Sequence, residues 1–345
     1  MAKILADVPL YYHEVASCLY YVLGSVFKHH GYDRLELALG AVWDFFFREG
    51  EEERYEFCFP GPGATLAENL FPYLGVEADW RLESDPARAW QAVKERLDGG
   101  EPVVVAVDNF YLPFRPAFGD VHTNHLLVVY GYDEAQGLAC VLDATPPAYK
   151  GPLGLEDLDR ARGSLNPREC DRHMFFAQTP IAYRWLDMRF PPQPRRVDEA
   201  LMRQALADNL ARMRALSDKK DLLLGLAGIR DLAGRIRALA WPDGLAGAVE
   251  EAEEITAFIF GRMLGPRTLH ADFLYNAACV LGDPRVRRAA RDLEIAAHSW
   301  VAARIMLGKG CKGDLADMAG RVAQRVEAIA DREEAALEQL EAAAG

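Results

Sequence analysis

Three prolines fall within four positions of the segment FPPQPRR, Phe190 to Arg196. Proline fixes φ and has no amide hydrogen to donate, so this segment cannot be a helix interior. It also separates two textures. Before it, prolines, glycines and aromatics punctuate short mixed segments. After it, Ala, Leu, Arg and Glu dominate, and only Pro242, Pro266 and Pro284 interrupt. A chain of 345 residues suits two domains at roughly 100–200 residues each. The proline segment puts their boundary near residue 195, giving 1–194 and 195–345.

Periodicity fills in each half. The apolar run from Val15 to Phe27 predicts a buried helix that stops at Gly31. Trp90, Val93 and Leu97 recur at helical spacing ahead of the glycines at 99 and 100. The continuous runs Pro102–Val107 and Leu126–Tyr130 predict strands covered on both faces, and Gly137–Leu142 predicts a third, joined to the second by a turn-rich connection. The second half reads as five or six helices, near 198–216, 221–240, 247–264, 266–281, 284–307 and 313–342. The polar tail from Asp331 is expected to be a solvated terminal helix.

Composition removes several function classes. Half the residues are hydrophobic and 26% are charged, which excludes a disordered or fibrous chain. The formal net charge of −13, with no Lys/Arg-rich run, is a poor match to a nucleic-acid backbone. No long apolar stretch suggests a membrane span, and the first residues lack the pattern of a secretory leader, so a cytoplasmic protein is expected. The six cysteines, Cys18, Cys58, Cys140, Cys170, Cys279 and Cys311, form no CxxC pair and read as reduced thiols. No metal and no cofactor is called for.

Cys18 is the thiol in a chemically suggestive context. It lies about one turn into the first predicted helix, where unpaired amide dipoles stabilise a thiolate. Attack on a carbonyl then needs a base and a group to orient it. His125 is expected at the mouth of the strand LLVVY, with His122 three residues earlier. The next strand ends at Asp143. In an antiparallel pair the end of one strand lies beside the start of the other, which brings Asp143 towards His125. The alternatives are a packing cysteine, a solvated histidine and a turn residue before Pro146. Asp108, at the end of another strand on the same edge, either binds a substrate amine or caps a turn. Trp43–Phe47, Tyr111 and Phe114 either wall an acyl pocket or pack a core. His29 and His30, at a helix end, read as structural. In GPGATLAENL, Thr65 reads as a helix N-cap rather than part of a phosphate loop. Arg262, Arg267, Lys309 and Lys312 read as helix-surface charges.

With these residues in place the chain resembles papain-like cysteine enzymes, and in particular the butirosin biosynthesis protein H-like family. The matching stretches are Cys18 with Gly31 thirteen residues on, VAVDNFYLPF from Val105 to Phe114, and His125–Asp133. They continue with Leu155–Ser164 and, in the helical half, GRMLGPRTLHADFLYNAA and HSWVAARIMLGKG. The resemblance implies an α+β papain-like domain with a central antiparallel sheet, followed by an all-α domain. It implies an acyltransferase or cyclase of specialised-metabolite biosynthesis. Cys18 would take an acyl group from a carrier-protein thioester, His125 would shuttle protons, Asp143 would orient His125, and an amine would resolve the acyl-enzyme. Ser17 stands where the family often has His. No Gln precedes the cysteine, so His13, Tyr12 or the Cys18 N–H becomes the oxyanion donor, with Asp108 and Tyr111 as further substrate contacts. The implied partners are an acyl carrier protein or other thioester donor and an amine-bearing small molecule, with self-association left open. The acidic charge suits a cationic acceptor, whereas an acidic carrier would need a local basic patch. Two other readings stay open: a cysteine peptidase or amidase using the same triad, and a non-catalytic binding or scaffold protein.

Overall fold

The computed structural model describes residues 2–14, 17–48, 65–165, 173–174, 181–240 and 245–344. The first part of the chain runs β1 (Ala2–Ile4), α1 (Cys18–His29), α2 (Leu35–Leu39), β2 (Phe46–Arg48), α3 (Leu66–Leu70), β3 (Glu77–Arg81), α4 (Pro86–Asp98), β4 (Val103–Asp108), β5 (His122–Asp133), β6 (Leu138–Asp143), β7 (Tyr149–Gly154), α5 (Leu155–Gly163), β8 (His173–Met174) and β9 (Trp185–Arg189). The second part is helical: α6 (Glu199–Arg214), a short β10 (Leu222–Leu224), α7 (Gly225–Ala238), α8 (Leu245–Phe258), a π-helical turn (Ile259–Leu264), α9 (Gly265–Leu281), α10 (Pro284–Cys311) and α11 (Leu315–Ala344). The fold is α+β: a central, mainly antiparallel sheet, then a helical region. Among the described residues, no helix is long and apolar enough to cross a membrane.

The sheet order is β3-β9-β4-β5-β6-β7, with β1 and β8 also pairing to β5. Every residue of β4, VVVAVD, is buried, as a strand covered on both faces requires. Helix α4 starts where Asp85 accepts from the amides of Ala87 and Arg88, with Pro86 in the first position. Helix α1 ends as expected before Gly31, whose φ of +83° suits the left-handed turn there. Thr65 caps α3 through a reciprocal pair of bonds with Glu68. The glycines Gly61 and Gly63, and the cysteines Cys58 and Cys170, lie outside the described residues.

Two apolar cores result. One surrounds the sheet and α1; the other fills the helical region. The aromatic run resolves into packing: Trp43, Phe45 and Phe47 belong to the helical core, and β2 pairs with β10. Three expectations need correcting. Residues 222–224 form a strand rather than the start of a helix, because they complete this pairing. The tail from Asp331 is not a solvated helix: α11 runs unbroken to Ala344 and buries Glu333, Ala336, Leu337 and Leu340. Arg262 and Arg267 are buried, not surface charges. Cys279 is exposed, whereas Cys140 and Cys311 are half-buried against the two cores.

The buried arginines sit in a network joining the two parts. Arg262 donates to Asp44 Oδ1 at 2.9 Å and Arg267 to Glu333 Oε1 at 2.9 Å. Glu333 also accepts from the indoles of Trp43 and Trp300, each at 3.1 Å. Buried charge on this scale is tolerated only when paired and hydrogen-bonded.

Candidate active site

Cys18 is the first residue of α1, with Ser17 as its N-cap. This is nearer the helix end than expected, so the sulfur lies beside the unpaired amides of the first turn. His125 lies inside β5, not at its mouth. The strand already starts at His122, because Asn124 and His125 pair in register with Asp108 and Val107 of β4. On the other side, Val128 and Val129 pair with Leu142 and Val141 of β6. Continuing that register sets Asp143 diagonally across from His125 on one face of the sheet, the spacing at which cross-strand side chains meet.

The side chains do meet. His125 Nε2 lies 2.8 Å from Asp143 Oδ2, both residues being buried. His125 also shares a hydrogen bond with the Cys18 side chain. With Nε2 engaged by Asp143, Nδ1 is the ring atom left for the sulfur. Asp143 has two further donors. The Thr145 amide bonds Oδ1 at 2.9 Å, and Arg115 Nη1 lies 3.3 Å from Oδ2. Arg115 is fixed in turn by donating to the Thr145 carbonyl at 2.8 Å.

These contacts decide the protonation states. Burial pulls the His125 imidazolium down, but the Asp143 charge and the bonds to Asp143 and Cys18 outweigh it. The result lies at about 9, against an ordinary 6.5. Burial pushes the Asp143 carboxyl up, and His125, Arg115 and the Thr145 amide together hold it below its ordinary value. At neutral pH the dyad is therefore an imidazolium on a carboxylate, with the half-buried Cys18 at its other end.

The remaining sequence candidates separate. Tyr12 packs with tilted rings, 5.3 Å between centroids, against Tyr21, whose hydroxyl donates to the His13 carbonyl and which lies near Cys18. The His13 ring is 3.5 Å from Asp272 of the helical part. Ser17 Oγ is buried without a hydrogen-bond partner among the described residues. Asp108 points to the opposite face from His125, since neighbouring residues alternate. There it accepts from His122 and Ser164 at 2.7 Å each, and from the amides of Phe110 and Thr123. Tyr111 packs edge-on to the His122 ring. Among the described residues no cluster of metal-ligating side chains is present.

A family model described as butirosin biosynthesis protein H, N-terminal, matches residues 17–144, and one described as a domain of unknown function (DUF4872) matches residues 156–340. The chain belongs to the butirosin biosynthesis protein H-like family. The N-terminal match points to a biosynthesis-related enzyme family. No curated protein matches the chain. The butirosin H-like segment opens at Ser17 and closes one residue beyond Asp143, so it encloses Cys18, His125 and Asp143. It also encloses Arg115, which sequence reasoning missed. That residue sits in an irregular loop, RPAFGD, where no periodicity indicates which way a side chain turns.

Proposed function

We propose that the protein is a cysteine-dependent acyltransferase or cyclase of specialised-metabolite biosynthesis, with a papain-like catalytic part, that forms an amide from a thioester donor and an amine. The reading rests on one observation above all: the buried His125 ring stands between the Asp143 carboxylate and the Cys18 sulfur at a helix amino end, so that the proton of the thiol resides on His125 in the reactive pair. Cys18, as thiolate, attacks the thioester carbonyl carbon. The tetrahedral adduct collapses by breaking the bond to the donor sulfur, and His125 gives that sulfur its proton. His125 is then neutral. It takes a proton from the attacking amine, the Cys18–carbonyl bond breaks, and the amide leaves. Asp143 holds the ring and stabilises its charge, and Arg115 positions Asp143. The oxyanion is assigned to the first-turn amides of α1, starting at Cys18, with Ser17 Oγ as a further donor. The thioester donor is an acyl carrier protein or a pantetheine-like thioester. Residues 1–194 carry the chemistry in this reading and residues 195–345 support it.

The test is the fate of an acyl group from butyryl-pantetheine offered both water and a primary amine. The proposal expects amide as the main product, and at least a thousandfold loss in Cys18→Ala. Predominant hydrolysis at saturating amine would favour a peptidase or amidase with the same triad. Equal turnover by wild type and Cys18→Ala would leave a binding or scaffold protein.

A further inference from the structure

The opposite face of the sheet holds a second feature that the Cys18 chemistry does not use. Helix α5 lies against this face, since Ser164 at its C-terminal end bonds Asp108. Between α4 and α5 is a cavity of about 290 Å³, walled by Pro86, Trp90, Leu155 and Leu158, with Arg162 lining it. Arg162 is only 2% exposed. Its Nη2 donates to the Ala89 carbonyl at 3.3 Å, and its Nε is buried with no acceptor among the described residues. Among the described residues no carboxylate forms an ion pair with it. Asp159, which also lines the cavity, is engaged by the Tyr183 hydroxyl. Burial draws the guanidinium down to about 10, even though the nearby Asp159 charge favours the charged form.

The surroundings of Arg162 are built rather than incidental. Tyr183 lies with its ring 5.7 Å from the guanidinium carbon. It is held there by a turn in which Ala182 and Tyr183 have φ of +39° and +58°, a region that costs a non-glycine residue strain. Gly163 makes the approach feasible, because a Cβ there would stand 2.6 Å from the Tyr183 hydroxyl. The chain thus spends backbone strain and a glycine on fixing a buried cation beside an apolar cavity.

We propose that this cavity binds a small organic monocarboxylate with an apolar body, its carboxylate on Arg162 and its body against Trp90, Leu155 and Leu158. The size lies at the lower end for small-molecule sites, too small for a nucleotide or a peptide. Arg162 is the cation of the described lining and Asp159 already adds a negative charge to it, so a second negative charge on the ligand would go unpaired. A planar guanidinium with free donors matches a carboxylate in shape as well as charge. The site lies across the sheet from Cys18, so binding does not depend on the acyl chemistry.

Titration calorimetry of the full chain tests this, with 3-phenylpropionate as the probe and 3-phenylpropan-1-ol and inorganic phosphate as comparators. The carboxylate is expected to saturate a single site, with each comparator weaker by about tenfold or more. Arg162→Gln should weaken the carboxylate by at least about tenfold. Ala87→Trp, a change at an exposed residue of the cavity lining, should do the same while leaving the melting temperature near wild type, so loss of the fold cannot mimic the result. Cys18→Ala should bind as wild type does. The proposal is overturned by an absence of saturable carboxylate binding, by equal binding of either comparator, by binding that survives both cavity variants, or by loss in Cys18→Ala.

Discussion

At His125 two effects of opposite sign meet. Burial favours the neutral ring and the Asp143 carboxylate favours the charged one, and the carboxylate prevails because it is in direct contact at 2.8 Å. The pH consequences follow from the two shifts. His125 is raised from 6.5 to about 9, so its support for the fold is complete below about pH 6.5 and fades as pH rises through 9. Asp143 is lowered, so its support is present above its ordinary 3.8 and is lost as pH falls through its lower native value. Imidazole NMR resonances of His125 should titrate near 9 and move down by more than about one unit in Asp143→Asn; a wild-type midpoint near 6.5 would contradict the assignment. Arg115→Met removes a cation from Asp143, so the acid limb of activity should move to higher pH, read from a pH–rate profile. Cys18, His125 and Asp143 were legible in the sequence because each sits at a position that a helix start or a strand register defines. Arg115 was not, because a loop carries no register.

At the scale of elements, the differences from the sequence reading share one cause: tertiary pairing overrides local pattern. Thr123 and Asn124 look like loop, yet they extend β5 because Asn124 pairs with Asp108 of β4, whose side chain also accepts from the Thr123 amide, and Thr123 pairs with Met174 of β8. Leu222–Leu224 looks like helix, yet it pairs with Phe46–Arg48. Glu333 looks like one more solvated acid in a polar tail, but its two oxygens accept from Arg267, Trp43 and Trp300. A carboxylate that binds three buried donors from three separate segments gives no local signal. Glu333→Ala would strand those donors, and breaking one partner of a buried pair costs about 3–5 kcal/mol. Urea denaturation should report a loss of that order, and a change below about 1 kcal/mol would mean that the network contributes little.

Across the whole molecule, the proline segment at 190–196 lies between β9 and α6, but the packing does not divide there. Trp43, Phe45 and Phe47 come from the first part and are buried in the helical core. Asn209 of α6 reaches back to accept from the Trp43 amide at 3.0 Å and to donate to the Ala41 carbonyl at 3.0 Å. The element α1 that carries Cys18 is tied into the same junction, because buried Tyr20 lies close enough to Arg262, Arg267 and Asp44 to feel their charges. Hence residues 1–194 expressed alone should lack a cooperative unfolding transition, and adding 195–345 in trans should restore one. Independent cooperative unfolding of 1–194 by circular dichroism would show that the helical part is dispensable for the fold. The sequence could mark the change of texture because prolines are local. It could not mark the exchange of aromatics across it, because a run such as WDFFF is equally apolar in either core.

The central claim is that Cys18 is the nucleophile of an acyl transfer assisted by His125 and Asp143. Intact-mass analysis after brief incubation with butyryl-pantetheine, followed by peptide mapping, tests it most directly. The account predicts a single butyryl adduct on Cys18 in wild type. It predicts none in Cys18→Ala, slowed formation in Asp143→Asn, and loss of the adduct when a primary amine is added. An adduct on another cysteine, or none on Cys18 under conditions where the donor is consumed, would contradict it.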